Sequence, residues 1–163
     1  MPTAAGLPDL TGGDCARRSY GGPNSELAEW ALPAALELLE PSSFVYALTA
    51  VMLERPTAIL HASANARSSI ALAITAVLAP FAYHHPLLPI LPHTLYGVVC
   101  SPTPYLIGLP GMECVAEFTE GGGASAVCFL DVASGELQEG EIYEGEPSVA
   151  VLSHSWGAML GEH

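Results

Sequence analysis

Apolar and polar positions fall into short blocks along this chain, and proline separates many of them. Ser25, with Glu26 and Glu29 behind it, reads as a helix start, because a hydroxyl accepts a first-turn N–H and carboxylates favour the positive end of the helix dipole. Pro33 divides that helix or opens a second short one ending near Glu40. Pro41, Ser42 and Ser43 start the next helix. Its Phe44, Leu48, Val51 and Met52 fall at i, i+4, i+7 and i+8, one helical face, and Pro56 ends it. Thr57 to Ala62 (TAILHA) reads as a short strand. Ser63 and Asn65 offer caps for a helix running to Ala79, with Ile70, Ile74, Val77 and Leu78 on one face and Ala and Leu on the others. A helix apolar all round is a buried one. Leu87 to Leu91 reads as a strand that Pro89 confines to a sheet edge or an irregularity. His93 to Val99 suits a short helix and Tyr105 to Leu109 a strand. Residues 110–125 read as a loop region, Ala126 to Val132 as a strand, Ser134-Gly135 as a turn and Val149 to Leu152 as a last strand. Strands that are apolar on both faces and separated by helical segments indicate an α/β fold, with a mostly parallel sheet covered by helices on both faces.

Composition narrows the functional classes. The chain has 163 residues, half of them apolar, which suits one domain with a real core. Residues 1–24 read as a flexible leader, 25–135 as the folded lobe, and 136–163 as an acidic loop with the last strand and a turn. Seventeen Asp and Glu stand against four Arg, and the net charge is -13. That balance argues against nucleic acid and against anionic membrane surfaces. Nine of the carboxylates lie between Glu113 and Glu146, a run expected on a solvated face. No Asp, Glu, Lys or Arg occurs from 68 to 112. Even so, the longest helical candidate there, Ser68 to Ala79, stops at Pro80, well short of the ~20 residues of a membrane span. The N-terminus lacks the basic start and apolar run of a signal peptide, so a cytosolic chain with free thiols is expected. Cys100 and Cys128 lie in apolar runs and read as small core residues.

The order of elements also resembles a known pattern. The stretch LTAVMLERPTAILHASANARSSIALAITAVLAPFAYHHPLLPILPHTLYGVVCSPTPYLIGL is similar to the central portion of a DENN domain. The matching residues are Leu53 and Glu54, Ser63, the Pro80-Phe81 corner, His85, Pro89-Ile90-Leu91-Pro92, Leu95, and Ser101-Pro102-Thr103-Pro104-Tyr105 with Gly108. Val127 to Asp131 resembles the strand that follows in the family. The likeness covers residues 41–135. Where the family has a tryptophan near the Pro-Phe corner, this chain has Ala82 or Tyr83. The prolines read as corners, since proline turns an apolar chain without stranding an N–H donor. Pro102 and Pro104 push Ser101 and Thr103 toward extended geometry.

The resemblance implies a part of a guanine-nucleotide exchange factor for Rab GTPases. Such a factor binds the switch regions of the GTPase and promotes GDP release without covalent chemistry, catalytic residues, metal or cofactor. A full family module has a longin-like lobe before the central lobe and a helical part after it. The segments flanking residues 41–135 are too short for either. The expectation is therefore a central lobe that needs further segments or another chain for exchange, or a binding and scaffold module without it. Membrane association is expected only through partners, at the periphery of vesicles. Ligands of parallel sheets gather at the C-terminal ends of the strands, which nominates Ser63, Asn65 and the Pro110–Glu113 loop, Glu113 above all, for GTPase contact.

Other constellations are weaker. SHSWG (153–157), behind the expected VAVL strand, resembles a nucleophile elbow with Ser155 as nucleophile and Ser153 in place of the first glycine. The triad acid and histidine should follow in the chain, and His163 is the only histidine there. His84, His85, His93 and Cys100 fit no standard zinc spacing. Gly121 to Gly123 lacks the Lys-Ser/Thr of a phosphate loop. His61 reads as a satisfied core histidine, and Asp131 as a strand terminator.

Overall fold

The computed structural model describes residues 25–120, 124, 126–142 and 147–152. The first helix, α1 (Ser25–Leu38), runs through Pro33 without a break. The expected division does not occur. Pro33 faces solvent, while Ala31, Ala35 and Leu39, spaced i, i+4, i+8, are buried in the core that α1 shares with the long helix after the first strand. That packing offsets a proline penalty of about 3 kcal/mol. Pro41 opens α2 (Pro41–Met52) in the first turn, where its missing N–H has no intrahelical role. Phe44 and Val51 are buried as their spacing predicts, but Met52, assigned to the same face, is 44% exposed.

A five-stranded sheet follows: β1 (Thr57–Leu60), β2 (Leu87–Leu88), β3 (Leu106–Leu109), β4 (Cys128–Asp131) and β5 (Glu136–Gln138), in the order β2-β3-β1-β4-β5. The first four strands are parallel, with Thr57 in register with both Leu106 and Cys128, and β5 pairs antiparallel with β4. The strand expected over Leu87 to Leu91 lies at the edge but is only Leu87–Leu88, ending before Pro89. β1 and β3 are buried along their whole length, which is why they read as unbroken apolar runs. The structure thus has the predicted fold class, a mostly parallel sheet with helices packed on it.

The two faces are covered differently. Ile59, Leu106 and Leu130 pack under α1, α2 and α3 (Ala64–Val77). Ala58, Ile107, Leu109 and Phe129 pack on the other side against Leu91, Val99 and Val115. That second layer consists of a 3-10 helix (His93–Cys100), a 3-10 turn (Met112–Cys114) and the short helix α4 (Ala116–Glu120). The stretch expected to be a loop after residue 110 is therefore partly helical, anchored by the fully buried Val115.

Ser63 caps α3 as expected, its Oγ accepting the Ala66 N–H at 3.4 Å. α3 is buried on nearly all sides, although Val77 is 37% exposed. Three further expectations fail in whole or in part. Cys100 is exposed rather than a core residue, because it is the last residue of the 3-10 helix; Cys128 is buried as expected. His61 lies just beyond β1 and is only partly buried, not in the core, although its Nδ1 does accept a hydrogen bond. Residues 149–152 are helical, not a strand. There Ser148 Oγ accepts the Ala150 N–H at 3.2 Å and Glu139 Oε1 accepts the Val149 N–H at 2.7 Å, which satisfies first-turn donors, while Val149 packs on Ala50 and Cys128. The SHSWG segment lies outside the described residues. Residues 149–152, the described residues directly before it, are helical and not the strand a nucleophile elbow needs. Among the described residues no helix is long and apolar enough to cross a membrane.

Candidate functional site

The C-terminal edge of the sheet is a compact turn built on backbone hydrogen bonds. β1 ends at Leu60, and the His61 N–H reaches the Leu109 carbonyl across to β3 at 3.1 Å. His61 Nδ1 then accepts the Ser63 N–H at 3.0 Å, and Ser63 enters α3. Arg67, one turn into α3, turns its guanidinium back and donates to the His61 carbonyl at 2.8 Å. The residue is only 6% exposed, and its Nε finds no partner among the described residues. Burying a cation with so few partners is costly. Here it locks the β1–α3 turn from behind.

Ser63 and Asn65 are exposed on this turn, and Glu113 is exposed beyond β3. The structure places the three nominated residues on one sheet edge. Glu113 folds back over Gly111, where an added Cβ would stand 2.7 Å from the Glu113 carboxyl carbon. Tyr96, on the 3-10 helix, is hydrogen-bonded to Cys114. That bond is the main cause that raises its pKa, partial burial and Glu113 add to it, and Arg67 acts the other way. The edge can present amide, carboxylate and hydroxyl groups to a partner. Ser63 Oγ and His61 Nδ1 are each engaged with a backbone N–H group, so these two do not pair as nucleophile and base.

The opposite end of α3, about 21 Å away for a helix of this length, borders a groove of about 450 Å³. Val51 and Leu78 are its buried members, and Met52, Phe81 and Tyr83 complete its apolar lining. Phe81 is 70% exposed. Tyr83 packs edge-on to His85, ring centroids 5.6 Å apart, and burial pushes its hydroxyl pKa up to about 12. Glu54 stands at the rim with its side chain 69% exposed, its Oε1 3.4 Å from His85 Nε2. Its backbone is left-handed, φ +55. The Glu54 N–H reaches the Val51 carbonyl and the Arg55 N–H the Ala50 carbonyl, closing α2 with a pair of bonds that normally has glycine at this position. A glutamate there costs about 1 kcal/mol.

The profile of the DENN (AEX-3) domain matches residues 19–134. The chain belongs to the DENN domain family. DENN domain-containing protein 2C of Homo sapiens is 39% identical over 59 residues, 36% of this chain and 6% of that protein. DENN domain-containing protein 2A of Homo sapiens is 37% identical over 65 residues, 40% of this chain and 6% of that protein. The MAP kinase-activating death domain protein of Mus musculus is 32% identical over 87 residues, 52% of this chain and 6% of that protein. This chain thus spans a small fraction of the length of the curated relatives it matches.

Within this DENN domain the motif residues separate into two groups. One group packs the sheet. Tyr105 is 1% exposed and its hydroxyl donates to the Val99 carbonyl at 2.9 Å. Leu91 is buried and donates its N–H to the Gly108 carbonyl at 3.0 Å. A Cβ on Gly108 would collide with the Pro89 carbonyl oxygen and stand 3.0 Å from Arg67 Cβ. Pro92 caps the 3-10 helix, and Ser101 Oγ bonds Thr103 Oγ1 at 2.8 Å between Pro102 and Pro104. The second group, Glu54, Phe81 and His85, lines the groove, with Pro80 exposed beside it. Glu54 stands at a helix C-terminus where glycine is usual, with its side chain exposed at the rim. Among the described residues no cluster of three or more His, Cys, Asp or Glu could hold a metal.

Proposed function

We propose that this DENN domain binds a Rab-family GTPase as the central part of a guanine-nucleotide exchange factor in vesicle trafficking. DENN domains are a family of Rab exchange-factor domains, and the profile match over residues 19–134 is the observation that carries the reading. Exchange requires no bond making by the factor. A partner that binds the GDP-free form more tightly than the GDP form loosens GDP by the same factor. The proposed contacts are Ser63, Asn65 and Glu113, which are exposed on one edge. The locked β1–α3 turn holds Ser63 and Asn65 at fixed positions, so little ordering entropy is lost on binding. Such a partner would bring the chain to vesicle membranes from the cytoplasmic side.

The test is release of fluorescent GDP from a panel of purified Rab GTPases, with affinity for the GDP-free form measured in parallel. About tenfold tighter binding to the GDP-free form, a coupling of about 1.4 kcal/mol, is expected for at least one GTPase. Glu113→Lys and Asn65→Trp should weaken that binding. Equal affinity for both nucleotide states across the panel refutes the exchange reading. Binding without accelerated release marks a docking module that needs a longin-like lobe from further segments or another chain. Variants that bind like the parent refute the placement.

A further inference from the structure

We propose that the groove between the C-terminal ends of α2 and α3 docks a peptide segment of a partner protein, one that places a large apolar side chain beside a lysine or arginine. The groove's volume, about 450 Å³, lies within the range of sites that enclose an anchoring group. Its lining is the type that carries binding energy at interfaces, an exposed aromatic ring with methionine and aliphatic neighbours. The buried Val51 and Leu78 supply a packed base, so an entering side chain meets preformed apolar surface.

The charge of the rim selects the partner. Glu54 carries the only acidic group among the lining residues, and no lysine or arginine lies among them. His85 neutralises it only when protonated. The described part of this chain cannot supply the missing cation to a second copy, since Arg55 and Arg67 are both 6% exposed. Two copies, each part of a chain of charge -13, would also bring like charges together. Nucleic acid and anionic lipid are disfavoured for the same reason. A basic residue beside an apolar anchor satisfies both features of the groove. The left-handed backbone, φ +55, sets the exposed Glu54 carboxylate on the rim beside His85. This inference does not depend on exchange activity.

The test is selection of a random peptide library displayed on phage against the whole chain, with depletion on Phe81→Ser. Enriched peptides are then synthesised and titrated by fluorescence anisotropy. Enrichment of an apolar residue next to Lys or Arg is expected. Phe81→Ser should weaken these peptides about tenfold. Glu54→Gly should weaken them about threefold, the effect of losing one exposed charge pair, without lowering the melting temperature. Phe81 is mostly exposed, so Phe81→Ser should melt like the parent, and a comparable melt confirms that lost binding is local. No enrichment, enrichment without basic residues, or peptides held equally by both variants would overturn the proposal.

Discussion

Replacing Gly108 with alanine tests the packing of β2, β3 and α3 in a single position. Gly108 lies on the sheet face turned to α3. An added Cβ meets the Pro89 carbonyl oxygen, lies 2.9 Å from the Pro89 carbonyl carbon, and lies 3.0 Å from Arg67 Cβ. Two of these neighbours are backbone atoms and none is the free end of a side chain. Relief therefore requires the edge strand to move. That movement weakens the Leu91 N–H bond to the Gly108 carbonyl (3.0 Å) and the Leu106 N–H bond to the Pro86 carbonyl (2.9 Å). At about 1 kcal/mol for each bond and about 1 kcal/mol or more for the overpacking itself, the loss is about 3 kcal/mol. For a chain of this size that lowers the melting temperature by about 6–12 °C. Thermal unfolding followed by circular dichroism measures it. The control is Gly97→Ala, where an added Cβ finds nothing within 4 Å, and the melting temperature should stay within about 2 °C. If Gly108→Ala melts with the parent, the close approach of Pro89 and Arg67 to this glycine is wrong.

Tyr105→Phe removes the donor to the buried Val99 carbonyl and should cost about 1–2 kcal/mol in urea unfolding; an unchanged midpoint would refute that bond. Burial raises the Tyr83 pKa from 10.0 to about 12, so above pH 10 the unfolded chain loses this proton before the folded one. The associated stability is complete below pH 10 and is lost as pH rises to 12. Urea midpoints across that window should fall less steeply for Tyr83→Phe, and parallel curves would exclude the buried phenol as their cause.

The sheet was legible in the sequence because β1, β3 and β4 are apolar on both faces, and Pro89 marked the edge strand. The Ser63 cap was legible because a hydroxyl ahead of an apolar helix has one local role. What escaped was set by distant partners. The helix at 149–152 depends on the Glu139 carboxylate reaching its first turn, and nothing in VAVL announces that. β5 is three residues long with Leu137 alone facing inward, too short for a period to register. Pro33 masked a continuous helix because the stripe of Ala31, Ala35 and Leu39 has meaning only once α3 lies against it. Of the candidate residues, Ser63, Asn65 and Glu113 fell together because the ends of parallel strands lie on one edge. The exposure of Phe81 was not legible, because an aromatic beside proline looks the same whether it fills a corner or borders a groove.

The two surfaces lie at opposite ends of α3, and that arrangement determines how they can communicate. α3 is buried on nearly every side and packed against α1 and the sheet. Dense interiors shift between discrete arrangements and do not deform smoothly. Coupling between the ends would need a second packing of α3, and Arg67 opposes one, since sliding the helix would pull its guanidinium from the His61 carbonyl and leave a buried cation with fewer partners. Gly108 opposes it as well, because α3 and the edge strand already meet there with no space for a methyl group. The helix is therefore a rigid spacer that fixes the distance between the edge and the groove. Occupancy of the groove should leave the intrinsic affinity of the edge unchanged. Any cooperation between partners at the two ends must then come from tethering, through effective concentration, rather than from a change of shape in this domain.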